Sequence, residues 1–284
     1  MAGDGSFDDR VRARTGAVNS RVCIGLDPVL ARLPEHLERS AEAVVRFCQD
    51  VIEATHPFAA AYKPNLGFFV ALGRPGFSAL WAVRHSIPRA IPVILDCKTN
   101  DLGETAAAYA KGWFDEFGFD AITVNPYLGE DAVAPYMTNP DKGVIVLCKT
   151  SNPGSGDLQD IKDERGVPLS LRVADRCRLW HEKYAAPVGL VVGATFPDQL
   201  AEVRRRCPDQ LILLPGIGAQ GGEVEGSLEA GLDRAGGGLL CSASRSIIYA
   251  GSGRDFDIAA GNAARQLRDL INDSPAMERA SAGQ

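Results

Sequence analysis

Short apolar segments alternate with amphipathic segments along almost the whole chain, and this alternation is what most restricts the fold. An apolar run of about four to eight residues is typical of a strand buried on both faces, and the amphipathic stretch after it is typical of a covering helix. We predict strands over residues 22–26, 58–62, 92–96, 121–124, 143–148, 188–192, 211–214 and 238–242. The clearest helical patterns cover residues 41–54, 103–117, 169–184, 199–206 and 255–271.

Eight strands, each followed by a helix, predict an α/β fold of the closed (β/α)8 TIM-barrel type, because eight is the number of parallel strands that closes around a packed interior. The alternative is an open, doubly wound sheet, but no Gly-x-Gly-x-x-Gly turn follows the first strand. The length of 284 residues suits one barrel. We expect a single domain over 1–284, with a helical N-terminal extension over 1–20 and a flexible tail over 274–284.

One connection stands out from the others by its length. Residues 149–168, after the fifth predicted strand, are polar and rich in Gly. Loops this long in compact domains are often functional, and in a barrel this one would lie on the catalytic face.

Charge and cysteine content restrict the class of function. The chain has 36 acidic and 30 basic residues without a long basic run, which disfavours nucleic acid or an anionic membrane as a partner. Its seven cysteines are dispersed, and its four histidines lack the spacing of a metal-binding pair. Residues 1–21 have no signal-peptide core, and no stretch is apolar enough to span a membrane. We expect a cytoplasmic protein that acts on a small molecule and holds no metal.

The strongest chemical signal is Asp96-Cys97-Lys98-Thr99-Asn100-Asp101, which directly follows the apolar run of the third strand. Side chains alternate along a strand, so Asp96 and Lys98 should share the face that points into the barrel mouth, while Cys97 should face the helices. A structural ion pair at a strand end would explain a bare Asp-x-Lys equally well.

Two further charges end neighbouring strands. Lys63 follows the apolar run of the second strand, and Asp27 ends the first strand in Gly25-Leu26-Asp27-Pro28. A solvated lysine and a turn aspartate are the ordinary interpretations of each alone. Three successive strands that deliver charges to one rim nevertheless indicate a catalytic face.

A phosphate site is predicted after strands seven and eight, where barrels often bind phosphate. After the seventh comes Pro215-Gly216-Ile217-Gly218-Ala219-Gln220-Gly221-Gly222, in which Gly216 and Gly218 permit close approach of the backbone to an anion. After the eighth come Ser244 and Arg245, whose guanidinium can hold phosphate oxygens in a bidentate manner.

These motifs resemble the orotidine 5'-phosphate decarboxylase family, most of all its longer bacterial branch, over roughly residues 21–249. The resemblance also includes Asn65 after Lys63, Asn125-Pro126-Tyr127-Leu128-Gly129, and Thr150-Ser151-Asn152-Pro153-Gly154. It implies a carboxy-lyase without cofactor, which converts orotidine 5'-monophosphate to uridine 5'-monophosphate and carbon dioxide in the last step of pyrimidine synthesis.

Roles for single residues follow from the resemblance. It implies that Asp27 and Lys63 hold the ribose and that Lys63, Asp96 and Lys98 form a charged catalytic array. Ser151 would bind the pyrimidine, and Gln220 and Arg245 would close on the phosphate. Asp101 and Thr105 would serve the site of the neighbouring subunit in a homodimer. The chain departs from the branch at Thr99, Asn100, Leu102 and Ser244, none of which removes a charged member.

Two other functions are compatible with parts of this pattern. A magnesium-dependent sugar-phosphate enzyme of the same barrel superfamily shares the Asp-x-Lys-x-x-Asp strand, but Lys63 would repel a metal ion. A phosphate-binding barrel without activity, acting as a regulator or scaffold, would not need all four charged residues.

Overall fold

The computed structural model describes residues 5–217 and 221–282, the side chains of 221–223 and 281–282 excepted. Its strands are β1 (Val22–Leu26), β2 (Ala61–Pro64), β3 (Ile94–Thr99), β4 (Ala121–Val124), β5 (Gly143–Lys149), β6 (Val188–Val192), β7 (Ile212–Pro215) and β8 (Leu239–Ala243). They pair in parallel in the order β2-β1-β8-β7-β6-β5-β4-β3. Parallel bridges from Tyr62 to Val93 and from Asn65 to Asp96 connect β2 to β3. The predicted barrel is therefore confirmed.

The helices lie between the strands and at both ends of the chain. They are α1 (Phe7–Val18), α2 (Ala41–Thr55), α3 (Leu66–Val70), α4 (Arg74–Ser86), α5 (Gly103–Lys111), α6 (Glu130–Val133), α7 (Gly156–Gln159), α8 (Leu169–Lys183), α9 (Pro197–Arg206), α10 (Gly221–Gly231), α11 (Arg245–Ile248), α12 (Phe256–Asn272) and α13 (Pro275–Ala282).

Several bounds differ from the sequence prediction for local reasons. The second strand starts at Ala61 rather than at residue 58, because His56–Phe58 form a 3-10 turn with Pro57 near its start. The predicted helix over 103–117 ends at Lys111 and continues as a π-helical turn, Gly112–Glu116, which buries Trp113 and Phe114.

The tail also differs from expectation. Residues 275–282, which we expected to be flexible, form α13, and Ala276 and Met277 on this helix are buried. Its packing against α10 and α12 gives the segment contacts that no local sequence pattern indicated.

Inward-facing side chains fill the barrel in a small apolar cluster, distinct from the larger one between strands and helices. The cluster contains Cys23, Ala61, Ile94, Ala121, Ile145, Val191, Leu213 and Leu240, one from each strand, together with Ala60 and Leu211. Phe7 and Val11 of α1 belong to the same cluster, so this helix closes the amino-terminal end of the barrel.

Two contacts hold α1 in this position. The ring of Phe7 lies so close to Gly143 that a Cβ there would come within 2.3 Å of it. Arg10 Nη1 donates to Asp120 Oδ1 at 2.7 Å, and Asp120 Oδ2 accepts from the backbone N–H of Val93 at 2.8 Å. The strands have their carboxyl termini at the opposite end, where the predicted charged residues lie. No helix in the described ranges is both long and apolar enough to cross a membrane.

Phe7→Ala should destabilise the protein by about 3 kcal/mol, because Phe7 is only 1% exposed and its truncation leaves a cavity. Urea unfolding followed by circular dichroism measures this difference. The control is Phe77→Ala on α4, where the ring is 47% exposed and the loss should be much smaller. Equal losses for the two variants would contradict the role assigned to α1.

Candidate active site

The predicted charges meet at the carboxyl-terminal rim of the barrel. Lys63 lies on β2 beside Gly25 of β1, and Asp96 lies on β3, where it bridges to Asn65. Their inward direction follows from the strand alternation, since Ala61 and Ile94 two residues earlier belong to the interior cluster.

A charged triad of Lys63, Asp96 and Lys98 forms the centre of this rim. Lys63 Nζ lies 2.8 Å from Asp96 Oδ2, and Lys98 Nζ lies 2.5 Å from Asp96 Oδ1. The side chains of Lys63 and Asp96 are only 8% and 12% exposed, whereas that of Lys98 is 46% exposed. One largely buried carboxylate thus holds two ammonium groups, of which that of Lys98 belongs to the more exposed side chain.

A bulge in β3 brings Lys98 to this position. Leu95 pairs with Ile122 and Thr99 with Val124, so four steps along β3 match only two along β4. Lys98 has a φ of 50°, in the left-handed region that costs energy for a residue with a Cβ. In a regular strand, the side chain of Lys98 would lie farther along the same face than that of Asp96. The bulge brings the two side chains together.

Two uncharged residues complete the surroundings of Asp96. Thr123 Oγ1 donates to Asp96 Oδ1 at 2.9 Å and accepts from the backbone N–H of Lys98 at 3.0 Å. Asn65 Nδ2 donates to Asp96 Oδ2 at 3.3 Å. Sequence reasoning missed Thr123, although a signal was present: it is a polar residue two positions after the inward-facing Ala121.

The charges of the triad stabilise one another. Burial raises the pKa of Asp96, but Lys63 and Lys98 outweigh this effect and hold that pKa well below its usual range. Burial lowers the pKa of Lys63, but the carboxylates of Asp96 and Asp27 outweigh this effect and raise that pKa overall. Each of these two groups is therefore charged at neutral pH.

Asp27 lies beside the triad on the adjoining strand end. Its carboxylate is close enough to act on the pKa of Lys63, yet its Oδ1 is buried and has no hydrogen-bond partner in the described part of the chain. A buried acceptor without a donor is costly, so this atom is suited to receive a hydroxyl from a ligand.

The predicted phosphate residues Gly216, Ser244 and Arg245 directly follow β7 and β8, and β8 pairs with both β7 and β1. Gly216 has a φ of 90°, which only glycine adopts readily. Ser244 packs so closely on Gly25 that a Cβ at Gly25 would lie 2.6 Å from Ser244 Cβ, and Ser244 Oγ is buried without a partner among the described residues. Arg245 is exposed at the start of α11. Gly218 and Gln220 lie outside the described residues.

The remaining predicted residues make no hydrogen bond or ion pair with the triad within the described ranges. Ser151 is exposed just after β5, on the same rim. Asp101 makes no ion pair with either lysine in the described ranges; its Oδ1 accepts from the backbone N–H of Leu102 at 2.8 Å. It does not cap α5, because the cap residue is Leu102 and no side chain caps that position. Thr105 is exposed on α5.

Potential metal ligands are not clustered. Within residues 5–217 and 221–282, no three His, Cys, Asp or Glu side chains are grouped so that they could hold a metal ion. The seven cysteines are all free, and Cys97 packs against the outer core as predicted.

Comparison with known proteins agrees with this geometry. The model of the orotidine 5'-phosphate decarboxylase / HUMPS family matches residues 20–255. The chain belongs to this family. Proteins named orotidine 5'-phosphate decarboxylase are among its relatives: that of Thermomicrobium roseum is 49% identical over 94% of this chain and 95% of its own length. That of Roseiflexus castenholzii is 49% identical over 89% of this chain and 92% of its own length.

Solved structures show the same fold in the family. OMP decarboxylase of Leishmania donovani superposes with a TM-score of 0.82 at 42% identity, covering 94% of this chain and 97% of that one. A putative orotidine-monophosphate decarboxylase of Toxoplasma gondii superposes with a TM-score of 0.90 at 39% identity, covering 99% of both chains.

Acid should weaken the fold through Asp96. Because its pKa is lowered on folding, the carboxylate stabilises the native state above the unfolded pKa of about 3.9, and this contribution is lost as the pH falls through the folded pKa. Asp96→Asn should therefore be less stable than the unmodified chain at pH 7 and should lose less stability on acidification below pH 4.

The measurement is the free energy of unfolding in urea from pH 7 to pH 2. Asp157→Asn, at an exposed position on α7, removes a carboxylate without touching the triad and should keep the acid dependence of the unmodified chain. The assignment is wrong if Asp96→Asn keeps that dependence too.

Proposed function

We propose that this protein decarboxylates orotidine 5'-monophosphate to uridine 5'-monophosphate and carbon dioxide, as a carboxy-lyase that needs no cofactor. The observation that carries the proposal is the buried Asp96 carboxylate held between Lys63 and Lys98. Membership of the family and the names of its relatives support the substrate.

The reaction breaks the bond between C6 of the pyrimidine and its carboxylate. The electron pair stays on C6, where no neighbouring carbonyl is placed to delocalise it, so fixed charges must stabilise it. Lys98 is the partly exposed ammonium of the triad and lies at the mouth. It stabilises the developing charge at C6 and then donates a proton from Nζ to that carbon.

Asp96 acts on the other side of the broken bond. Its ionised carboxylate lies beside the substrate carboxylate, and the repulsion between them is relieved as neutral carbon dioxide leaves. Lys63, Thr123 and Asn65 hold Asp96 in place, so the charge arrangement exists before substrate binds. The larger part of the effect is this preorganisation.

The rest of the substrate matches the remaining rim. Asp27 Oδ1, buried without a donor in the part of the chain described, accepts a ribose hydroxyl, and Lys63 lies next to it. Gly216, Ser244 and the exposed Arg245 bind the phosphate from β7 and β8, together with Gly218 and Gln220. Ser151, which lies just after β5, binds the pyrimidine. Binding energy from the phosphate helps to hold the pyrimidine against the triad.

The function is tested by the loss of orotate-ring absorbance when the purified protein is mixed with orotidine 5'-monophosphate after exhaustive chelation. Full turnover is expected, because Lys63 occupies the place that a cation would need and repels it. Activity that returns only with magnesium would instead favour the sugar-phosphate enzyme of the same superfamily. No turnover under either condition would favour a phosphate-binding barrel without activity.

Lys98→Ala should lower kcat by several orders of magnitude, because the proton donor and the positive charge nearest C6 disappear together. Steady-state kinetics measure the loss, and circular dichroism checks that the fold persists. Lys111→Ala, at the exposed end of α5, is the matched control and should leave kcat unchanged. A loss of less than tenfold for Lys98→Ala would contradict its role.

We also propose a cytoplasmic homodimer in which Asp101 and Thr105 enter the site of the partner subunit. Asp101 makes no ion pair among the described residues, and large apolar side chains at α5 and after β4 are exposed: Leu102, Tyr109, Tyr127 and Leu128 are 52%, 40%, 79% and 47% exposed. An apolar patch of this kind is suited to a two-fold interface, which would build two equivalent shared sites.

Subunit mixing tests the shared site. In a heterodimer of Lys98→Ala and Asp101→Ala subunits, one site lacks both residues and the other has both, so mixing two weak proteins should restore substantial activity after exchange. Size-exclusion chromatography and turnover before and after exchange give the readout. A protein that is monomeric at assay concentration, or activities that only add despite proven exchange, would contradict the shared site.

A further inference from the structure

The long loop after β5 folds back onto the end of that strand. A bulge prepares the contact: Leu147 pairs with Val191 and Lys149 with Val192, so two steps along β5 match one along β6. Leu147 packs against the interior cluster, whereas Val192 belongs to the outer core. The bulge therefore turns Lys149 out of the barrel and under the loop, where its side chain is 1% exposed.

Asp160 is the counter-ion of this buried lysine. Lys149 Nζ lies 2.8 Å from each carboxylate oxygen of Asp160, and 4.7 Å from the centre of the Phe196 ring. The side chain of Asp160 is 44% exposed, so the ion pair has its carboxylate at the surface and its ammonium buried beneath the loop. An ammonium buried to this extent requires a partner, and Asp160 is the residue that provides the charge.

Gln159 binds the next residue of the strand end. Its Oε1 accepts from the backbone N–H of Thr150 at 2.9 Å, and its Nε2 donates to Thr150 Oγ1 at 2.8 Å. Thr150 Oγ1 donates in turn to Asn152 Oδ1 at 2.7 Å. Gln159 and Asp160, at the end of α7, thus bind Thr150 and Lys149, at the end of β5. We call Lys149, Thr150, Gln159 and Asp160 the β5 clamp.

Ser151 is the residue that directly follows the clamped pair. It is pressed against β6 at Gly193, where a Cβ would lie 2.8 Å from Ser151 Cβ and 3.0 Å from its backbone N. Gly193 N donates to Lys149 O at 2.8 Å, which fixes the spacing between the two strand ends. The side chain of Ser151 is exposed, and its hydroxyl has no hydrogen-bond partner within the described ranges.

We propose that the β5 clamp is a positioning device for substrate recognition, in which Gln159 and Asp160 hold Ser151 where its hydroxyl meets the pyrimidine. The inference rests on the proposed function, and it assigns the loop a specificity role. A serine on an unrestrained loop would lose conformational freedom on each binding event, whereas the clamp removes that freedom before the substrate arrives. Gln159 and Asp160 touch no substrate; they act through Ser151.

A double-mutant cycle on kcat/KM tests this inference. Gln159→Ala should lower kcat/KM for orotidine 5'-monophosphate about tenfold, as for one lost hydrogen bond to substrate. In a Ser151→Ala background the same change should cost less than about twofold, because the residue through which it acts is gone. Asp160→Asn should behave like Gln159→Ala in both backgrounds.

Two controls separate positioning from general damage. Asp157→Asn, exposed on the same short helix, should leave kcat/KM unchanged. Gln159→Glu keeps an acceptor for the Thr150 N–H and should retain most of the activity lost in Gln159→Ala. Hydrogen exchange of the amides of residues 150–155 gives a readout without substrate, and Gln159→Ala should accelerate it.

The outcomes distinguish the two proposals. Equal losses from Gln159→Ala in both backgrounds, or unchanged amide exchange, would overturn the positioning role while turnover by the unmodified chain still supports the decarboxylase. A Ser151→Ala variant with unchanged kcat/KM would also overturn it. If the unmodified chain shows no turnover, the proposed function fails and the inference fails with it.

Discussion

The side chain of Lys63 is only 8% exposed, and the carboxylate of Asp96 neutralises its positive charge at a distance of 2.8 Å. Removing water from an ammonium or a carboxylate costs several kcal/mol per ion, so neither group is stable there without the other. The rest of the site depends on this pair. Lys98 adds a second ammonium to the same carboxylate, and Thr123 and Asn65 donate hydrogen bonds that keep it oriented.

The backbone around this pair is adapted to it. The bulge in β3 and the positive φ of Lys98 are unfavourable by themselves, and a hydrogen bond from Lys98 N to Thr123 on the neighbouring strand stabilises them. A second bulge in β5 turns Lys149 outward beneath the loop that carries Ser151. Irregular backbone is thus located at two strand ends of the rim, while the interior cluster and α1 pack the barrel beneath it.

Much of this arrangement could be predicted from the sequence. Apolar runs separated by helical patterns were enough to predict the number of strands, and β1, β4 and β6 have the predicted bounds. Alternation from Ile94 and Ala61 was enough to direct Asp96 and Lys63 inward. The start of β2 and the end of α5 depend on a 3-10 turn and a π-helical turn that the strand and helix patterns do not show, and the helix over 275–282 depends on packing against α10 and α12.

The sequence by itself determined which chemical groups reach the rim, because residue type and strand period are local properties. It placed Asp27, Lys63, Asp96 and Lys98 at the ends of three consecutive strands. Only the tertiary structure decided how they meet: that Asp96 is shared by two lysines, that Thr123 on another strand orients it, and that Gln159 and Asp160 hold the residues next to Ser151. The reason is that register shifts and close contacts between strands arise from barrel closure, which joins residues that no local pattern connects.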